Sequence, residues 1–175
     1  MRNVQLEHRE HRPSAPLPLR VLAHDLALAA NVGALFRIAD ALGVERLYLS
    51  GRTARPPDVR LRKAARSTDA HVPWEAVADP LATLSALRNE GFRILSLELT
   101  TASIDLPRLA LAQGDRVCLI VGAEDSGVAQ ALLDASDVTV HIRMRGHNSS
   151  MNVASACAIA LHDIGRRLEG GVSAG

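Results

Sequence analysis

Three polar stretches interrupt an otherwise aliphatic chain, and each carries residue types that can do chemistry. The first holds Asn31, Gly33, Arg37 and Asp40. Asn31 suits a helix cap, and Gly33 lets a neighbour approach the first helical turn. Arg37 and Asp40, three apart, share a helix face. They read as a surface ion pair or, where the helix starts at a strand end, they place Arg37 for a phosphate or a developing oxyanion. The second stretch, Gly122-Ala123-Glu124-Asp125-Ser126-Gly127, follows a strongly apolar run. Its glycines have only a superficial likeness to a phosphate loop. Val128-Ala129 stands where Lys-Ser/Thr is required, and no GxGxxG occurs. The acidic pair repels a pyrophosphate and suits a ligand with hydroxyls or positive charge.

The third stretch runs from His141 through Arg143, Met144, Arg145 and His147 to Ser149, Ser150, Met151 and Asn152, and then enters an apolar helix. Ser149, Ser150 and Asn152 offer caps and free backbone donors at a helix start. One cap suffices, so the excess polarity points to a polar ligand; an elaborate helix start is the plainer alternative.

The elements that must position these stretches alternate. Short apolar runs at 19–23, 46–49, 92–97, 117–121 and 138–142 predict buried strands. Helical patterns lie at 32–41, 59–65, 80–89 and 128–134. In the last helix Val153, Cys157, Leu161, Ile164 and Leu168 form an apolar stripe that Gly170-Gly171 ends. Alternating strands and helices predict an α/β fold, a mostly parallel sheet covered on both faces, with ligands at the carboxyl ends of the strands. Residues 1–16 read as a polar tail, 17–169 as one domain, and 170–175 as a flexible tail.

Composition narrows the classes. The chain has 175 residues, 47% of them hydrophobic but only 2% aromatic, which predicts one aliphatic core. No apolar run approaches the roughly 18 residues of a membrane span, and the charged start lacks the apolar centre of a signal peptide. Cys118 and Cys157 sit apart in apolar stretches and read as buried free thiols of a cytoplasmic protein, with no metal cluster. The net charge is only +1. Between residues 52 and 66, however, Arg52, Arg55, Arg60, Arg62, Lys63 and Arg66 face the single acid Asp58. This is either a phosphate-binding surface or an ordinary solvated face.

Taken together, NVGALFRIADALGV, LIVGAEDSGV and IRMRGHNSSMNVASACAIAL resemble, in order and spacing, the three motifs of the SpoU/TrmH branch of the SPOUT methyltransferases. The resemblance covers roughly residues 19–167. It implies a homodimeric enzyme with a C-terminal trefoil knot that transfers methyl from S-adenosylmethionine to a ribose 2′-hydroxyl in tRNA or rRNA. By motif position it implies that Arg37 and Asn31 serve the target ribose, and that Glu124, Ser150 and Asn152 complete the catalytic set. Leu97, Gly122, Ile142, Met144, Ser150 and Met151 fall on cofactor positions. Arg143 departs from the family's usual proline and, with His147 and the arginines of 52–66, is assigned to RNA. A guanidinium is a poor literal base, so Arg37 is read as orienting the hydroxyl and stabilising charge while an RNA phosphate takes the proton. His147 is a second candidate base, or a plain RNA or capping contact.

Three rivals remain. Base-nitrogen methylation lacks the Asn31…Arg37 pair. A non-catalytic RNA-binding module has no need of the whole polar set and would have only Phe36, Tyr48, Trp74 and Phe92 for base stacking. A nucleotide-binding Rossmann protein lacks its phosphate loop.

Overall fold

The computed structural model describes residues 12–170. Its centre is a seven-stranded sheet, ordered β3-β2-β1-β6-β4-β7-β5 with every adjacent pair parallel. The strands are β1 (Leu17–His24), β2 (Val44–Ser50), β3 (Trp74–Val77), β4 (Phe92–Leu97), β5 (Ile104–Asp105), β6 (Arg116–Val121) and β7 (Val138–His141). The five runs expected from apolar patterning are all strands. β3 and β5, of four and two residues, give no periodic signal and are additions to that expectation. They occupy the two sheet edges, where a short strand leaves little backbone to pair.

Side-chain alternation sorts the core into two layers. Leu19, Val21 and Ala23 of β1 and Val117, Leu119 and Val121 of β6 meet Val32, Leu35 and Phe36 of α1 (Ala29–Ala41), Leu61 of α2 (Val59–Ala65), and Cys157, Leu161 and Ile164 of α5 (Val153–Leu168). On the opposite face Leu22, Cys118 and Ile120 meet Leu84 and Leu87 of α3 (Pro80–Asn89) and Leu132 of α4 (Gln130–Asp134). Both faces are covered, as expected. Both cysteines are free and buried, and desolvation pushes each thiol up to about 12.

Local chemistry explains most helix boundaries. Asp58 caps α2 by accepting from the amides of Arg60 and Leu61, and Asp79 caps α3 ahead of Pro80. Asn152 caps α5 through Oδ1, which accepts from Ala154 and Ser155 at 3.0 and 3.3 Å. α1 departs from expectation: it starts at Ala29, its N-cap is Leu28, and no side chain of its own caps it. Asn31 lies inside the first turn and does other work. α4 starts at Gln130 rather than 128, leaving Val128 as a buried plug before the helix. Residues 12–16 precede β1 without regular structure, α5 ends at Leu168, and the remainder of the two expected tails, 1–11 and 171–175, lies outside the described residues.

Among the described residues, no helix is long and apolar enough to cross a membrane, and no group of three or more His, Cys, Asp or Glu side chains is placed to hold a metal.

Candidate functional site

The carboxyl ends of β1, β6, β4 and β7 open onto a cavity of about 500 Å³. In the strand order the chain passes left from β1 and later returns to the right of β6, so the β1/β6 crevice is the switch point where α/β sheets bind ligands. The loop after β6 forms one wall. It closes as a small hairpin, with Ala123 and Gly127 exchanging amide bonds of 2.9 and 3.0 Å. A Cβ on Gly122 would collide with the Gly127 carbonyl. Gly122 is therefore required by the hairpin's own backbone, whatever it also offers a ligand.

Glu124 projects from this hairpin to the start of α1. Its carboxylate accepts from the backbone amides of Ala27 at 3.2 Å and Leu28 at 3.1 Å, and from Asn31 Nδ2 at 2.9 Å. A carboxylate from 96 residues away thus satisfies amides at the helix entrance, where the dipole favours negative charge. Asn31 Oδ1 in turn accepts from Asn152 Nδ2 at 2.9 Å. Asn152 holds the start of α5 with its oxygen and Asn31 with its nitrogen. This single chain of bonds joins all three polar stretches, and Asn31, only 9% exposed, is its buried centre.

All six expected cofactor positions, Leu97, Gly122, Ile142, Met144, Ser150 and Met151, line the cavity, together with Asn31, Glu124 and Asn152. Because Asn152 performs the capping, Ser149 and Ser150 are left on the wall, and the excess polarity of the third stretch has a location.

Other expectations separate from the cavity. Arg37 is exposed and does not line it, and among the described residues no ion pair joins Arg37 to Asp40. Gly33 admits a helix, not a ligand: a Cβ there would stand 2.5 Å from the Ala64 Cβ and 2.6 Å from the Leu61 carbonyl of α2. Arg143 and His147 are exposed and lie off the cavity wall. Arg52, Arg55, Arg60, Arg62, Lys63 and Arg66 all reach solvent, along α2 and the turns on either side of it. Two are braced by acids: Arg62 approaches Asp69 at 3.6 Å, and Arg52 approaches Asp25 at 3.7 Å. The Arg52 backbone amide, donating to Asp25 at 2.7 Å, is the main reason that carboxyl sits below its ordinary value. The other four have no ion pair among the described residues.

Sequence reasoning misses part of the wall. Glu98 and Leu99 follow β4 directly and lie outside the three polar stretches, while His141, which opens the third stretch, ends β7 with its Nδ1 against Ser103 Oγ at 3.0 Å. The signal is present, since Leu97 is an expected wall position and strand ends are the place to search. No motif covers the loop after β4.

Comparison with known proteins gives the family and the fold. Residues 18–162 match the family described as SpoU rRNA Methylase. The chain is similar to an uncharacterised tRNA/rRNA methyltransferase of Mycobacterium tuberculosis, 35% identical over 137 residues, covering 76% of this chain and 46% of that protein. It is similar also to the 23S rRNA (guanosine(2553)-2′-O)-methyltransferase RlmP of Bacillus subtilis, 29% identical over 134 residues, covering 77% of this chain and 52% of that one. The chain thus spans about half the length of these relatives. Among solved structures, the SpoU methyltransferase AviRb of Streptomyces viridochromogenes in complex with AdoMet superposes with a TM-score of 0.79 at 26% identity, over 91% of this chain and 64% of that one.

Proposed function

The chain belongs to the SpoU rRNA methylase family, and from that premise we propose that it is an S-adenosylmethionine-dependent methyltransferase of a ribose 2′-hydroxyl in tRNA or rRNA. The observation that carries this reading is the Glu124–Asn31–Asn152 set, which gathers three separate stretches at one cavity mouth. The cofactor is supported by the AdoMet complex of AviRb, and the ribose by the 2′-O specificity in the name of RlmP.

The cavity fits such a cofactor. Its volume lies within the roughly 300–1,000 Å³ of small-molecule sites. Leu97, Ile142, Met144 and Met151 offer apolar surface for a purine, while Glu124 and Asp125 offer negative charge to a cationic ligand. When bound, the cofactor supplies an electrophilic methyl group. The protein's part is alignment, worth roughly 7–11 kcal/mol in well-oriented reactions. Asn31, Glu124 and Asn152 fix the relative positions of α1, the hairpin and α5. Ser150 lies on the same wall as a further polar contact. The ribose 2′-oxygen would gain the methyl as the methyl's bond to the cofactor sulfur breaks to leave a neutral thioether, and would give up its proton, which we assign to an RNA phosphate, with Arg37 orienting the hydroxyl.

Arg37 is off the cavity wall of its own chain, so the reading includes a homodimer in which Arg37 of one copy serves the cavity of the other. Arg52, Arg55, Arg60, Arg62, Lys63 and Arg66, with Arg143 and His147, form the proposed RNA surface. The C-terminal trefoil knot belongs to the same proposal; its support is a chain that leaves β6, crosses past β4 to β7, and returns as α5 against α1 and β1. A cytoplasmic setting follows from the substrate class.

The test is to incubate the chain with bacterial tRNA or rRNA and labelled cofactor, digest to nucleosides, and identify the product by mass spectrometry. Label in 2′-O-methylnucleosides is the expected result. Label confined to bases overturns the ribose assignment, and no label in any RNA overturns the enzyme.

A further inference from the structure

Glu98 lies outside all three polar stretches, yet it holds one of them in place. It follows β4 directly and lines the cavity. Both carboxylate oxygens are engaged: Oε1 accepts from the Leu99 amide at 2.9 Å, and Oε2 accepts from the Val128 amide at 3.0 Å. The first bond turns the chain out of β4. The second spans 30 residues to the exit of the Ala123–Gly127 hairpin. Gly127 sits there with φ 69°, and a Cβ on it would strike Glu98 Oε2. The glycine therefore admits the carboxylate as well as the left-handed backbone.

The hairpin is thus held at both ends by carboxylates acting in opposite directions. Glu124 reaches out of it to secure α1, and Glu98 reaches into it from β4. Between these anchors its backbone tie is one antiparallel bridge, and the helix that follows, α4, has only five residues. The wall formed by Gly122, Ala123 and Gly127 consequently depends on Glu98 for its position relative to Leu97, at the end of the same β4.

We propose that Glu98 is a positioning residue for the cofactor: it fixes the hairpin wall against the end of β4, and so sets cofactor affinity without touching the transferred methyl. The inference rests on placing the cofactor in this cavity. Loss of an anchor that shapes a binding wall weakens binding in ground and transition state alike, raising KM and leaving kcat.

The experiment uses the full chain with S-adenosylhomocysteine as probe, following amide hydrogen exchange, calorimetry and steady-state methylation in wild type, Glu98→Ala and Glu98→Gln. In wild type the probe is expected to protect 122–128 and 149–152. Protection confined to segments that do not line the cavity overturns the cofactor placement, and this inference with it. In Glu98→Ala, exchange should quicken at Gly127 and Val128 while β1 and β6 stay protected. The Kd of the probe should rise about tenfold, or 1.4 kcal/mol, with cofactor KM rising in step and kcat held within about twofold. Glu98→Gln keeps an acceptor for the Val128 amide and should recover most of the affinity. The inference fails, with the placement intact, if Glu98→Ala binds the probe like wild type. It fails also if affinity falls only together with protection across β1 and β6, or if Gln is no better than Ala.

Discussion

The cavity rim and the surface of α2 are both polar, but they are held in opposite ways. On the rim, Asn31, Glu98, Glu124 and Asn152 each bond to an element other than their own, at 2.9 to 3.2 Å. On α2 and the turn after it, Arg60, Lys63 and Arg66 project into solvent with no ion pair among the described residues. The first arrangement fixes geometry and tolerates little change. The second presents charge that long, mobile side chains can adapt to a polyanion. In the proposed reading, alignment belongs to the rim and grip to α2. Arg37 sits between the two regimes, exposed like the α2 arginines but on the helix that carries Asn31.

The largest expected effect tests that intermediate position. Arg37→Ala should lower the methylation rate at saturating RNA and cofactor by roughly 100-fold, the scale for removing one charge-stabilising donor. S-adenosylhomocysteine affinity should not change, because Arg37 is off the cavity wall. Mixing Arg37→Ala chains with Asn152→Ala chains should restore part of the activity through sites completed between copies; no restoration breaks the proposed exchange of Arg37 within a homodimer. A middle-sized effect is expected on the rim. Asn152→Ala removes a helix cap worth about 1 kcal/mol and the bond to Asn31, and should lower Tm by roughly 2–4 °C while weakening probe binding in calorimetry. The smallest effect per residue belongs to α2. Arg60→Ala, Lys63→Ala and Arg66→Ala together should leave Tm and probe affinity unchanged. They should reduce the slope of log K for RNA against log salt by about 0.7–0.9 for each phosphate no longer neutralised. A change in probe affinity would join the two regions that the structure separates.

The same contrast explains what is legible in the sequence. Leu97, Ile142 and Ser150 are placed on a wall by the resemblance to the family's motifs; period alone gives only where β4 and β7 end. Asn152 is legible as a cap because an Asn before an apolar helix has a local job. Asn31 suggests the same job and does not perform it, because its partners lie 93 and 121 residues away and nothing local reveals them. Glu98 escapes for the same reason: its value lies in the Val128 amide, a backbone group without a side-chain signature. The edge strands β3 and β5 are too short for any period to show. Gly33 suggests a close neighbour and Gly122 a cofactor contact, but the groups packed where their side chains would begin, α2 and the hairpin itself, have no local signature.

Gly33 has a consequence of another kind. With the Leu61 carbonyl and the Ala64 methyl packed where a side chain would begin, the joint between α1 and α2 has no slack. α2 is about 10 Å long, at 1.5 Å per residue, and it is clamped near its middle and end to the turn of α1 that carries Asn31. The joint works as a ruler. In the proposed reading, a polymer gripped along α2 would be presented to Asn31 at one offset, and the choice of nucleotide would be measured in part by the thickness of a glycine.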